Sequence, residues 1–588
     1  MTKIIETGGG KVRGVESGDG VLSWRGIPYA APPVGELRWR APRPAEPWTG
    51  VRDGSRPGNP AIQPPPLMPG PAGPLEIPPP SEDCLYLNVT APAGAERAPV
   101  LVWLHGGGYH VGNGHDIAGD GAGFARDFGA VVVSFNYRLG ALGYLSLPGE
   151  EHTGAHGTHD QIAALRWIRA NIAAFGGDPG RVTVYGVSAG AKSVSNLIAS
   201  PLTRGLIHGA ATSSGGDHVA TPAQSRALAA RFRKELGADD PREAPASAVL
   251  DAQNAIAQGL EATWVWRPAV DGLAIPRRPT DAIADGAATG IPLLAQHCLS
   301  ECLLFELGAP GSAARAERIL TDAFGSAGCA EILAAYGEGD RTAVMTDERY
   351  AVPTTRLADA QSTHAPVWRS RYDGPLTEYG GLPAFHGSDA PAIWTGGAGA
   401  EGQLHAAWGE FVRTGAVGWT PYAVPGRATM LFTAEGRRLE NDPDGERRAV
   451  WEGREWRAGT WYDVGRGSEP VSGRPGEPDL QARRTPELPA PEHRLLGEAH
   501  SRVRREQLLQ RDPHLRTAER RPHTRVRARA ERQMVVVRAA DAELVRRVPA
   551  AGVAVRGGED GQDERARGEP RTREDGRRGD AAGDRTHG

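Results

Sequence analysis

The chain has 588 residues, enough for a large buried core, and a net charge of -4 with 39% hydrophobic and 23% charged residues suits a globular protein. That balance excludes a strongly basic nucleic-acid binder, and no apolar run reaches the roughly eighteen residues of a membrane span. The opening MTKIIETGGGKVRG lacks the apolar core of a secretory leader. Cys84, Cys298, Cys302 and Cys329 match no common zinc or redox spacing, so buried thiols in a reducing cytoplasm are expected.

In chain order, Pro57 to Pro80 is dense in proline and glycine and predicts an irregular loop, either a rim over a site or a plain surface connection. Pro99 to Leu104 (PVLVWL) and Ala130 to Phe135 (AVVVSF) are continuous apolar runs, the pattern of strands buried on both faces of a mainly parallel sheet. Asp160 to Ala174 places Ile162, Leu165, Ile168 and Ile172 at helical spacing. Arg181 to Val187 (RVTVYGV) predicts another strand, and Ala189 to Ala199 a helix. This alternation predicts an α/β fold: a mostly parallel sheet of about eight strands flanked by helices, with insertions forming a cap.

The charge is uneven along the chain. From Glu452 to the end, 29 Arg and no Lys stand against 24 Asp and Glu, and periodic apolar segments are scarce. Residues 1–451 therefore read as one folded domain and 452–588 as an Arg/Glu/Pro/Gly/Ala-rich, disordered extension, or as a frame never selected to fold. Arg516 to Arg532 is interleaved with acids and lacks aromatics, which argues against nucleic acid as its partner. Only Gln533 to Val537 and Leu544 to Val548 hint at structure there.

Gly186-Val187-Ser188-Ala189-Gly190 is a G-x-S-x-G pentapeptide lying between the strand and the helix just named. In that context it marks a nucleophile elbow, with Ser188 lifted above the sheet and glycines where side chains would clash. The amide of Ala189, at the start of the helix, then faces negative charge developing on a substrate oxygen. His105-Gly106-Gly107-Gly108 follows the strand ending at Leu104. Its glycines let the backbone approach a substrate, and Gly107 and Gly108 are candidates to complete an oxyanion hole with Ala189. His105 belongs to this loop and is read as shaping it, not as a base.

These residues resemble the type-B carboxylesterase family of the α/β-hydrolase superfamily. Phe175-Gly176-Gly177-Asp178 through Arg181-Val182-Thr183-Val184 to Ser188-Ala189-Gly190 is similar to its serine signature, and Glu82-Asp83-Cys84-Leu85-Tyr86-Leu87-Asn88-Val89 to its second signature. Arg25-Gly26-Ile27-Pro28-Tyr29-Ala30, Asn136-Tyr137-Arg138 and Asn441-Asp442-Pro443 add to the likeness, which runs from about residue 10 to 451. The resemblance implies an α/β-hydrolase fold and a Ser-Glu-His triad. Glu301, in Ser300-Glu301-Cys302-Leu303-Leu304-Phe305, falls on the acid, with Glu306 as reserve. His386, in Gly381-Leu382-Pro383-Ala384-Phe385-His386-Gly387, falls on the base.

The sequence also departs from the family. Val187 stands where Glu is usual, and Lys192 brings a cation into the first turn after Ser188, where positive charge is mildly unfavourable. No upstream cysteine is found to pair with Cys84, so the disulfide of secreted relatives is not expected. The loop before Ser81 has no Trp, which favours para-nitrobenzyl-esterase-like members over cholinesterases as the comparison. The expected activity is hydrolysis of a small carboxylic ester through an acyl-enzyme, with no metal or organic cofactor and no nucleic-acid or membrane partner. Alternatives are a non-catalytic binding protein on the same fold, or a hydrolase of carbamates, thioesters or amides. Trp264, Trp266 and Trp394 are candidates for a substrate pocket or for plain core.

Overall fold

Valine-rich runs become parallel strands here because both of their faces are covered. The computed structural model describes residues 3–455 apart from 66–75, 116–120, 239, 257–264, 309–315 and 338–340. Among these, eleven strands join one sheet. They are β1 (Val15–Glu16), β2 (Val21–Pro28), β3 (Tyr86–Pro92), β4 (Ala98–Leu104), β5 (Val131–Phe135), β6 (Gly177–Val187), β7 (Gly209–Ser213), β8 (Leu293–Cys298), β9 (Val367–Gly374), β10 (Ala428–Thr433) and β11 (Gly436–Asn441). Their order is β11-β10-β9-β8-β7-β6-β4-β5-β3-β2-β1.

The run from β10 across to β5 is parallel throughout. The other four strands are antiparallel additions at the two edges. The mostly parallel sheet is as expected, but eleven strands replace the expected eight or so. The reason is the edges: β11 (GRRLEN) is largely exposed and polar, so it carries no apolar run to read. A separate three-stranded sheet joins Ile4–Thr7, Gly10–Arg13 and Val51–Asp53.

Alternation within β4 feeds two cores. Val100, Val102 and Leu104 pack with Ile162, Leu165 and Ile168 of α1 (His156–Asn171) and with Val194 and Leu197 of α2 (Ala189–Ala199). Leu101 and Trp103 point the other way. There they join Trp394 and Trp408, from the helices that cover the opposite face of the sheet. Each such side chain contributes ~1.5–3 kcal/mol on full burial. Ile172, read as the last apolar position of the helix, is buried but begins a short 3-10 turn.

Between β7 and β8 lie α3 (Pro222–Leu236) and α4 (Ala246–Ile256), which build a satellite core of Phe232, Val249 and Trp266 against Leu142 and Leu145. This is the expected insertion, placed after the strand that neighbours the elbow strand. Trp266 and Trp394 are core residues, whereas Trp264 lies outside the described residues. Three later helices complete the set used below: α5 (Val352–Ser362), α6 (Asp389–Thr395) and α7 (Ala400–Thr414).

Trp451 is fully buried, and its indole N–H donates to the Tyr336 hydroxyl at 2.7 Å. The chain from 456 onward, with the segments at 516–532, 533–537 and 544–548, lies outside the described residues. No helix among the described residues is long and apolar enough to cross a membrane.

Candidate active site

The elbow follows from sterics. β6 ends at Val187 and α2 starts at Ala189, leaving Ser188 alone at φ 60°, ψ -120°, a conformation costly for a residue with a Cβ. A side chain at Gly190 would collide with the carbonyl oxygen of Leu104, and one at Gly186 with the backbone of Gly190 itself. The elbow is therefore wedged against the end of β4, which is where the oxyanion loop begins. Ser188 is also tied to β7, its amide donating to the Ser213 carbonyl at 2.9 Å.

The loop after β4 turns through Gly107 at φ 104° and Gly108 at φ 62°. A Cβ on Gly107 would strike the Val111 carbonyl oxygen, so the position requires glycine on both counts. The amides of Gly107, Gly108 and Ala189 donate no hydrogen bond among the described residues. Backbone donors left open at a helix start and a glycine loop are the chemical requirement for binding an oxyanion.

His105 stacks on Tyr137 with ring centroids 4.3 Å apart, and the Tyr137 hydroxyl donates to the His105 carbonyl at 2.8 Å. Burial pushes its imidazole down to about 4, so it is neutral near pH 7 and structural, as the sequence suggested.

The Pro57–Pro80 segment has a duty after all. Gln63 bonds reciprocally with the backbone of Gly112, accepting from its N–H at 2.7 Å and donating to its carbonyl at 2.9 Å. Gly58 in turn offers its carbonyl to His115 at 2.9 Å. The first described part of this loop, residues 57–65, thus braces the far side of the glycine turn; residues 66–75 lie outside the described set. Nothing in the proline-glycine composition distinguished Gln63.

Glu301 and His386 arrive from separate loops, beyond β8 and beyond β9. Glu301 is wholly buried, and its Oε2 lies 2.6 Å from His386 Nδ1. Its Oε1 accepts from the Cys298 amide at 2.7 Å and from the Ser214 hydroxyl at 2.6 Å. Three hydrogen-bond partners on one buried carboxylate fix its plane. The backbone completes the pairing, the His386 amide donating to the Glu301 carbonyl at 3.2 Å. It is therefore Glu301, and not the reserve Glu306, that holds the histidine.

The imidazole is packed on aromatic rings. Tyr350 lies 4.4 Å from it, and Phe305 5.5 Å, centroid to centroid. Ser214, one residue beyond the carbonyl that fixes Ser188, links the elbow to the acid. Sequence reasoning missed Ser214 and Tyr350, since both act through contacts between segments far apart in the chain. Asp389, three residues after His386, is fully buried in α6 and accepts from Gln296 at 2.6 Å. Burial, then the nearby Glu301 charge, raises its carboxyl above the usual range. Val187 is buried in the apolar core, so no carboxylate stands beside Ser188 in the chain.

All four cysteines are buried thiols. Burial pushes those of Cys84, Cys298 and Cys302 up, away from reactivity.

The chain is similar to known carboxylesterases along most of its described length. A model of the carboxylesterase family matches residues 1–323. The para-nitrobenzyl esterase of Bacillus subtilis is 36% identical over 483 residues, 76% of this chain and 98% of that protein. The phenmedipham hydrolase of Pseudarthrobacter oxydans is 36% identical over 476 residues, 72% of this chain and 94% of that protein. Among solved structures, a PNB esterase superposes with a TM-score of 0.69 at 34% identity, covering 76% of this chain and all of that one. A Geobacillus stearothermophilus carboxylesterase superposes with a TM-score of 0.66 at 32% identity, over the same shares.

Proposed function

Since this chain belongs to the carboxylesterase family and is a carboxylic ester hydrolase, we propose that it works through Ser188, His386 and Glu301, with Gly107, Gly108 and Ala189 as the oxyanion hole. The observation that carries this is the 2.6 Å contact between His386 Nδ1 and a Glu301 carboxylate that is buried and held by two further donors. With Nδ1–H given to Glu301, the other nitrogen, Nε2, is left as the base.

In the reaction, Ser188 Oγ attacks the ester carbonyl carbon while His386 Nε2 takes its proton. The carbonyl oxygen becomes an oxyanion, stabilised by the open amides and the N-terminus of α2. Collapse of the tetrahedral adduct breaks the C–O bond, and His386 returns the proton to the departing alcohol. Water then attacks the acyl-Ser188 carbonyl, His386 again takes and returns a proton, and the acid leaves. Glu301 keeps the imidazole in one tautomer and stabilises its cation.

The family's chemistry asks for no cofactor, and the substrate is a small carboxylic ester. A cytoplasmic setting suits four buried thiols. We take 1–451 as the catalytic domain, supported by the buried Trp451, and 452–588 as an appendage. The test is hydrolysis of short-chain p-nitrophenyl esters by the purified chain beside Ser188→Ala of equal thermal stability. Loss of activity in the variant is expected. Activity that survives removes Ser188 as nucleophile, and an inactive parent chain favours a binding protein on this fold.

A further inference from the structure

Lys192 is an anomaly that the mechanism leaves unused. It sits in the first turns of α2, four residues after Ser188, where the helix dipole disfavours a cation. Only 1% of it is exposed, so its ammonium has lost water almost completely. Burial pushes it down to about 8, leaving it mostly charged near pH 7. A cation held in such surroundings is expected to have fixed partners, and it does. Its Nζ donates to the Gly215 carbonyl at 2.8 Å and reaches the Arg349 carbonyl at 3.5 Å. It also lies 5.0 Å from the centroid of the Tyr350 ring, within cation–π range.

Those partners converge on the base. Gly215 follows Ser214, which donates to Glu301. Arg349 and Tyr350 belong to a π-helical turn, Asp347–Ala351, that runs directly into α5. Turns of this kind recur at functional sites, where they aim a side chain that a regular helix would misplace. Here the turn sets the Tyr350 ring 4.4 Å from the His386 ring, tilted by 32°. Phe305 lies parallel to Tyr350 and 5.5 Å from the imidazole. The charged groups around Lys192 are Asp217, Glu301 and Glu348, with Arg349 opposing. Asp217 is itself paired with Arg278 at 2.8 Å, and Glu348 lies 3.9 Å from Arg349.

We propose that Lys192 is a positioning residue for His386: its ammonium ties the nucleophile helix to the Ser214 loop and to the π-helical turn, and so holds Tyr350 against the imidazole. The inference rests on His386 being the base. The ammonium of Lys192 meets the Gly215 and Arg349 carbonyls and the Tyr350 ring. It acts through Tyr350 and Ser214, so its loss loosens the angle at which Nε2 meets Ser188. Misplacement on the order of 1 Å can cost about 100-fold in rate, and a partial loosening correspondingly less.

The experiment is a double-variant cycle on the full chain with a p-nitrophenyl ester. Lys192→Met keeps the stem and removes the charge; Tyr350→Leu removes the ring and keeps the lysine. Each is expected to lower kcat about tenfold while KM stays within twofold, and the double variant should be no slower than the worse single one. Full kcat in Lys192→Met overturns the proposal, and so do losses that multiply in the double variant. A KM change without a kcat change overturns it too, since that would place Lys192 in substrate binding. If Lys192→Met fails to fold, Tyr350→Leu decides alone: unchanged kcat sinks the idea. His386→Ala separates the two levels. Activity retained there refutes the triad, whereas activity lost there with Lys192→Met unimpaired refutes only this inference.

Discussion

The elbow at Ser188 and the Glu301–His386 pair lie close together in the fold but are specified in different ways. The elbow is written in five consecutive residues, because the exclusion of side chains at Gly186 and Gly190 is local to one turn and the strand beside it. The pair is assembled from Ser214, Glu301 and His386, brought together from three loops by the order of strands β7, β8 and β9. A local motif survives in any context that supplies a strand and a helix, whereas an assembled one depends on everything that sets its loops. Damage to the first should abolish chemistry outright; damage to the second should be graded, deepening as successive hydrogen bonds to the Glu301 carboxylate are removed.

Substitutions in the two parts of the site should differ in the size of their effects. The largest effect is expected for Ser188→Ala, with kcat/KM for a p-nitrophenyl ester falling by ~10⁴-fold or more and the melting temperature little changed. Glu301→Gln should follow, at about 10³–10⁴-fold in kcat, because the amide cannot hold the imidazolium or the same tautomer. Ser214→Ala, which removes one of three donors to Glu301, should cost only on the order of tenfold in kcat. If Ser214→Ala proves as damaging as Glu301→Gln, the graded picture of the assembled half is wrong.

For stability, the gap between the parent chain and Lys192→Met should depend on pH, because the parent buries a titratable ammonium and Met carries none. The pH dependence has a definite sign. The folded-state pKa of about 8 lies below the ordinary 10.5, so between these values the folded form sheds its proton before the unfolded one. Parent-chain stability therefore gains relative to the variant as pH rises from about 8 to 10.5, and denaturant melts at pH 7 and 10 would register that gain. The smallest effect is reserved for truncation after Glu455, which should leave kcat/KM and melting temperature essentially unchanged; a large loss of either would make the tail part of the domain.

Some features were legible because they are periodic or steric. The runs at 99–104 and 130–135 became β4 and β5, and the helix read at 189–199 is α2. Ser188 and the glycine turn were readable for the same reason. Glu301 and His386 were reached only through family likeness, because nothing in AQHCLSECLLF or GLPAFHG is periodic. The edge strand β11 was missed because an exposed, polar strand carries no apolar signature. Gln63 was missed because a side chain bonded to a distant backbone leaves no mark on its neighbours.

The fold class and the strand-turn-helix geometry around Ser188 were legible in the sequence alone. Both are governed by short-range physics: apolar alternation, β-branched runs and the intolerance of a tight turn for a Cβ. Only the tertiary structure decided which carboxylate meets His386, that Ser214 and the Cys298 amide hold it, and that Lys192 is buried with its charge turned onto Tyr350. Those outcomes depend on where loops separated by tens of residues come to rest, and sheet order, not local propensity, sets that.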